Sequence, residues 1–159
     1  MDQSDLIAIT EITQLKYRYG RNLDNRNWDA FAATLAPNVK ARYGSVYQER
    51  PLDFDGRDAV VEYLSTAMSG TMITEHRFAQ PEIAVDGSIA TGTWAMSDVV
   101  IIPDHDIIIS GSCYYTDKYE LGPDGWLIAE TGYYRMYEAT QPIAANQFTL
   151  LSNHFGAQT

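Results

Sequence analysis

Three side chains able to hold or exchange protons stand out by where the sequence pattern puts them. Tyr19 and Asp24 lie in the stretch Tyr17 to Trp28, and Leu6, Ile9, Ile12, Leu15, Tyr19 and Leu23 recur every three or four residues. That spacing predicts one helix whose apolar stripe faces inward and carries Tyr19, with Asp24 at its end. His76 comes later, where Thr74, His76 and Phe78 alternate on one strand face against the more mixed Ile73, Glu75 and Arg77. A phenol can donate to a developing oxyanion, and an imidazole titrates where a general base at neutral pH must. Each has an ordinary structural reading beside it: a core tyrosine with a satisfied hydroxyl, an aspartate capping a turn, a histidine packed among threonine and phenylalanine.

The elements that must position these residues follow from periodicity. Ser4 is the expected cap of the first helix, with Asp5 suited to its positive end, and the helix should stop between Gly20 and Asp24. Asn27 caps a second helix bearing Trp28, Phe31, Ala32 and Leu35, which Pro37 ends. Val39 to Tyr43 reads as a short strand, and Gln48 to Asp55 as a polar loop in which Pro51 argues against regular pairing. Val60, Val61, Leu64 and Met68 predict a third helix over Arg57 to Met68, closed by Ser69-Gly70.

From Ile73 the period is that of strands: Ile73 to Val85 with a kink at Pro81, Ser88 to Ile102, Ile107 to Leu121, and Trp126 to Glu138. Asp86-Gly87, Pro103 to Asp106 and Gly122 to Gly125 are tight turns, so these segments must be largely antiparallel. Gly92, Gly111 and Gly132 inside the long strands predict bulges or bends that curl the sheet. The expected fold class is α+β: a cone-shaped α+β barrel over residues 1 to 140, in which three N-terminal helices pack on a strongly curled, mainly antiparallel sheet enclosing a pocket. Residues 141 to 159 form a tail whose Phe148, Leu150, Leu151 and Phe155 are expected to pack on the sheet or on a neighbouring subunit.

At 159 residues, with 45% hydrophobic and 20% charged side chains, the chain reads as one domain able to bury a core without staples. Its formal charge of −10 repels phosphate backbones and anionic membranes, which argues against nucleic acid and membrane partners. The N-terminus shows no basic region leading into an apolar one, so a soluble, cytoplasmic protein is expected. The one cysteine, Cys113, lies among apolar residues and reads as a buried, inert thiol. His76, His105 and His154 show no metal-ligand spacing; His105, between Asp104 and Asp106 in a turn, is expected in solvent.

The order of elements, with Tyr19, Asp24, the run Asn27-Trp28-Asp29-Ala30-Phe31, the segment Phe54-Asp55-Gly56-Arg57, and His76, resembles the SnoaL-like branch of the nuclear transport factor 2-like superfamily over residues 5 to 138. Within it the chain is most similar to dehydratase-type members, such as bile acid 7α-dehydratase, scytalone dehydratase and hexachlorocyclohexane dehydrochlorinase. The resemblance implies elimination without a cofactor, a strand histidine acting as base and an aspartate after the first helix orienting it. His76 and Asp24 match that pair, and Tyr19 matches a substrate-contacting position one turn earlier. Asp98 falls where one relative carries an acidic residue, on a strand face shared with Trp94, Met96 and Val100; a place in the pocket and a place on the outer side of the sheet are equally open. Family members often carry a basic residue where this chain has Thr131, and Arg135, of the same strand parity, is the substitute expected at the pocket mouth. Tyr43, Tyr115 and Trp94 are the other expected substrate contacts.

The function expected is a cofactor-independent lyase of dehydratase type, acting on a small apolar cyclic carbonyl compound of steroid-like or polyketide-like shape. A ketosteroid-isomerase-like or polyketide-cyclase-like enzyme, or a non-catalytic small-molecule-binding or assembly module, are the alternatives. The partners expected are that substrate and further copies of the chain, as a homotrimer or homodimer.

Overall fold

The structure, a computed structural model, describes residues 2–44 and 50–156. Helix α1 (Gln3–Asp24) starts at Asp2 and not at Ser4: the Asp2 carboxylate accepts from the Asp5 N–H, and the Asp5 carboxylate accepts from the Asp2 N–H. This reciprocal box satisfies two donors and adds negative charge at the positive end of the dipole, while Ser4 only donates its hydroxyl to Asp2. Ile12, Leu15, Tyr19 and Leu23 are buried as the period predicts, but Leu6 is 54% exposed, so the stripe is used only from Ala8 onward. Lys16, which the stripe passes over, is wholly buried.

Asn27 caps α2 (Trp28–Ala32) by accepting from the Ala30 N–H. Leu35 does not extend that helix. It begins β1 (Leu35–Tyr43), which contains Pro37, and the pairing of β1 shifts register between Leu35 and Lys40, the kind of irregularity at which a strand tolerates proline. Immediately after Pro51, β2 (Leu52–Asp55) pairs antiparallel with β1, so part of the expected loop is sheet; residues 45–49 of that region lie outside the described residues. Helix α3 (Arg57–Ala67) then leads to β3 (Ile73–Asp86), β4 (Ile89–Ile102), β5 (Ile107–Gly122) and β6 (Gly125–Pro142).

These strands form a six-stranded sheet in the order β2-β1-β6-β5-β4-β3, antiparallel except for the β1–β6 pair. Its edges are β2 and β3, so the sheet is open and mixed rather than closed into the expected barrel. Helix α1 contacts β6 and β3, and α3 contacts β1 and β2, which puts the main core between the helices and one sheet face. Ile12, Phe31, Leu35, Val39, Val60 and Ile128 are fully buried there; burial of each such side chain contributes about 1.5–3 kcal/mol. The irregularities in the long strands fall at Ala79/Glu82, Ser112/Cys113 and Lys118/Tyr119, not at the glycines that sequence singled out. Two of those glycines instead make room: Gly92 for the Tyr119 ring, and Gly111 for the Arg135 guanidinium, into which a Cβ would collide.

The tail packs on its own chain. The N–H groups of Ile143 and Ala144 donate to the Asp106 carbonyl and carboxylate, Asn153 donates to the Thr71 carbonyl, and the Arg26 guanidinium lies 3.8 Å from the centre of the Phe155 ring. Leu151 remains 91% exposed.

Cys113 is buried, and burial pushes its thiol up to about 12. Native protein at pH 8 is therefore expected to resist iodoacetamide while urea-unfolded protein is alkylated completely. Mass spectrometry reads the difference, and native alkylation at the rate of a free thiol would contradict this placement.

Candidate active site

Asp24 ends α1 beside β3, and the chemistry converges on its carboxylate. Oδ1 lies 2.6 Å from His76 Nδ1 and accepts the Thr74 hydroxyl at 2.8 Å, while Oδ2 accepts the His76 backbone N–H at 2.8 Å. Thr74 and His76 reach it together because residues two apart on a strand share a face. A carboxylate held by three contacts fixes the ring: Nδ1 carries its proton toward Asp24, leaving Nε2 as the acceptor. The two side chains are 12% and 19% exposed, enough for solvent or a ligand to reach them. They line a recess of about 400 Å³ between α1 and β3, together with Tyr17, Gly20, Arg21 and Phe78. This recess is open and partly polar, and it lies between α1 and the edge strand β3 rather than enclosed by the sheet.

One step across the sheet, Asp98 on β4 stands directly opposite His76, and its side chain is buried, so it neither faces water on the outer side of the sheet nor lines the recess. Arg135 on β6 grips it with two hydrogen bonds of 2.7 Å, and Arg135 Nε lies 3.0 Å from Glu138. Burial by itself would lower the Arg135 pKa, but the Asp98 hydrogen bonds and charge outweigh it and the guanidinium is held protonated above its usual range. Arg135, expected at the pocket mouth, does not line the recess, and its fork is turned to Asp98.

Tyr19 and Tyr43 meet elsewhere in the interior, hydroxyl to hydroxyl at 3.2 Å. Their rings belong to an aromatic series in which Tyr43 stacks on Tyr133, Tyr133 contacts Tyr115, and Tyr115 contacts Phe78. Phe78 therefore stands between the recess and the tyrosine hydroxyls, and Tyr19 does not line the recess. Burial raises Tyr19, Tyr43 and Tyr115 well above the ordinary phenol range, so all three stay protonated donors at neutral pH. Trp94 is fully buried and donates its indole N–H to the Tyr119 hydroxyl at 2.9 Å, away from the dyad.

Sequence reading missed two groups. Glu138 was placed only as a strand end, although its parity with Asp98 across Gly111 is readable once the register is known. Lys16 and Asp117 form a fully buried ion pair of 2.7 Å, with the ammonium 4.0 Å from the Tyr115 ring centre, 4.6 Å from Tyr19 and 4.7 Å from Phe78. Asp117 also accepts the hydroxyls of Tyr119 and Thr131, each at 2.7 Å. Thr131, at the family's basic position, is thus a partner of the buried carboxylate. Among the described residues, no group of three or more His, Cys, Asp or Glu side chains is arranged to hold a metal ion, and no helix is long and apolar enough to cross a membrane.

Residues 4–132 match the model of a SnoaL-like domain. The chain belongs to the SnoaL-like family. Hexachlorocyclohexane dehydrochlorinase LinA-type3 from Novosphingobium barchaimii superposes with a TM-score of 0.80 at 12% identity, over 96% of this SnoaL-like chain and all of its own. A Novosphingobium aromaticivorans protein provisionally named a scytalone dehydratase gives 0.78 at 16% identity, over 87% and 91% of the two chains. A point variant of a Mycobacterium tuberculosis protein of unknown function, Rv3472, gives 0.70 at 21% identity, over 83% and 73%. At these identities the superpositions show the shared fold alone.

Proposed function

We propose that this SnoaL-like chain is a small-molecule enzyme of the lyase type, a cofactor-independent dehydratase that eliminates water from an apolar cyclic β-hydroxy ketone, steroid-like or polyketide-like in shape. The observation that carries the reading is the 2.6 Å contact between Asp24 Oδ1 and His76 Nδ1 in an accessible recess. His76 Nε2 takes the proton from the carbon beside the carbonyl, and the C–H electron pair moves into the enolate. The enolate then re-forms the carbonyl and expels the β-hydroxyl. The imidazolium returns its proton to that leaving oxygen, so water departs and the base is regenerated. Asp24 orients the ring and stabilises the imidazolium between these steps. Tyr19 and Tyr43 are proposed as donors to the carbonyl oxygen, reached when a substrate ring takes the place of Phe78. Asp98, Arg135 and Tyr115 border this path; Trp94 supports it from the core.

The test is hydrogen–deuterium exchange at the carbon beside the carbonyl, followed by NMR in D₂O with a panel of cyclic ketones and β-hydroxy ketones. Wild type is expected to exchange or dehydrate part of the panel, and His76→Ala and Asp24→Asn to lose about 10²–10⁴-fold in rate. Equal rates in all three proteins would remove the dyad from the mechanism and leave a binding or assembly module as the reading. Self-association is the partner proposed, because Tyr114, Tyr134, Met136 and Tyr137 stand 54–75% exposed on neighbouring strands β5 and β6. Sedimentation analysis distinguishes trimer, dimer and monomer.

A further inference from the structure

Resting on the dyad as the reacting centre, we infer that a wall of charges behind His76 makes the site select uncharged or cationic ring ketones and reject substrates that carry a carboxylate, because Asp98 and Glu138 already pair with the Arg135 guanidinium there. The wall is a single row across the sheet. His76 pairs with Asp98, Asp98 with Gly111, and Gly111 with Glu138, so the four positions share one face. Side chains directly opposite in such a row stand about 4.5–5.5 Å apart at Cβ. Gly111 contributes no side chain, and the Arg135 guanidinium occupies the space left over it.

An arginine near a catalytic histidine would ordinarily be read as a receptor for an anionic group. Here each terminal nitrogen gives one N–H to Asp98 and its Nε lies 3.0 Å from a Glu138 oxygen, with only a tenth of the side chain exposed. A substrate carboxylate would have to displace a bidentate partner that is already in place. The charge around His76 also has the wrong sign for an anion. Asp24, Asp98 and Glu138 supply three carboxylates against one guanidinium, a net charge of −2 with the imidazole neutral. On the rim, Arg77 is engaged by Glu75, and Arg21 is exposed, where water and salt weaken its field. Charges in the half-buried wall are screened less and dominate.

The experiment titrates the protein with three cyclohexanones of similar shape, bearing a methyl, a carboxylate or a trimethylammonium group at the carbon opposite the carbonyl. Amide chemical shifts report Kd in wild type, Glu138→Gln, Asp98→Asn and, as a control of equal net charge change away from the site, Glu62→Gln on the exposed side of α3. Wild type is expected to bind the carboxylate about tenfold more weakly than the methyl ketone, and the ammonium at least as tightly. Glu138→Gln should narrow the methyl-to-carboxylate gap severalfold, Asp98→Asn should free the guanidinium and close it further, and Glu62→Gln should leave it in place.

A carboxylate ligand that binds as well as the methyl ketone, a gap that responds equally to Glu62→Gln, or no binding of any of the three overturns the inference. The dyad is judged separately. Loss of deuterium exchange with the binding order intact removes the catalytic reading alone, whereas exchange that persists with a tightly bound carboxylate removes the selectivity alone.

Discussion

Lys16→Met is expected to destabilise the protein by about 3–5 kcal/mol, a large share of the stability of a domain this size. The substitution keeps the length and apolar stem of the side chain but removes the ammonium from a pair in which both members are fully buried. Asp117 would keep its hydrogen bonds from Tyr119 and Thr131, yet its charge would have no counterion. The double variant Lys16→Met with Asp117→Asn should recover most of the loss, since the amide oxygen can accept one hydroxyl, the amide N–H can donate to the other, and no charge remains to be desolvated. Burial lowers the Lys16 pKa, opposed by Asp117, which marks the position as one where charge is tolerated only through its partner. Urea unfolding reads the effect as a shift in midpoint at constant slope. A loss under about 1 kcal/mol in the single variant, or a double variant no better than the single, would show that the pair does not carry the interior as described.

Alkaline unfolding is the second large effect. Burial raises five tyrosines, Tyr19, Tyr43, Tyr115, Tyr119 and Tyr133, above their ordinary range, the last to about 12, and raises Cys113 to about 12. These six groups hold their protons when folded and release them near pH 9–10 when unfolded. Above that range the folded state binds more protons, so stability falls with rising pH; below pH 9 the contribution is intact. Each group contributes at most about 1.4 kcal/mol per pH unit, and six together at most about 8. The protein should therefore unfold cooperatively within one to two units above pH 10. Circular dichroism should collapse together with a late step in tyrosinate absorbance, after the exposed tyrosines have titrated. An intact fold with every tyrosine ionised near pH 10 would refute the buried cluster.

The dyad itself was more legible in sequence than its surroundings. Asp24 and His76 could be named because one closes a strongly periodic helix and the other alternates with Thr74 and Phe78 on a strand, so each had a definite facing. Their pairing came from family resemblance, since a separation of 52 residues along the chain leaves the distance between them undetermined. The structure adds Thr74 and the His76 backbone N–H as holders of the same carboxylate.

Local sequence by itself determined the helix α1, the β-rich second half, its turns and the alternation along β3, because period and turn chemistry depend on residues close in the chain. Only the tertiary structure decided the rest. Whether Leu35 ended a helix or began a strand depended on β6 lying parallel beside it. Whether Asp98 faced solvent or Arg135 depended on Gly111 opening space between them. Lys16, outside the apolar stripe of α1, is core because its partner Asp117 lies on β5, 101 residues away. Charges enter a protein interior when a partner meets them there, and which side chains meet is fixed by sheet register and helix docking, not by either residue's own neighbours in the chain.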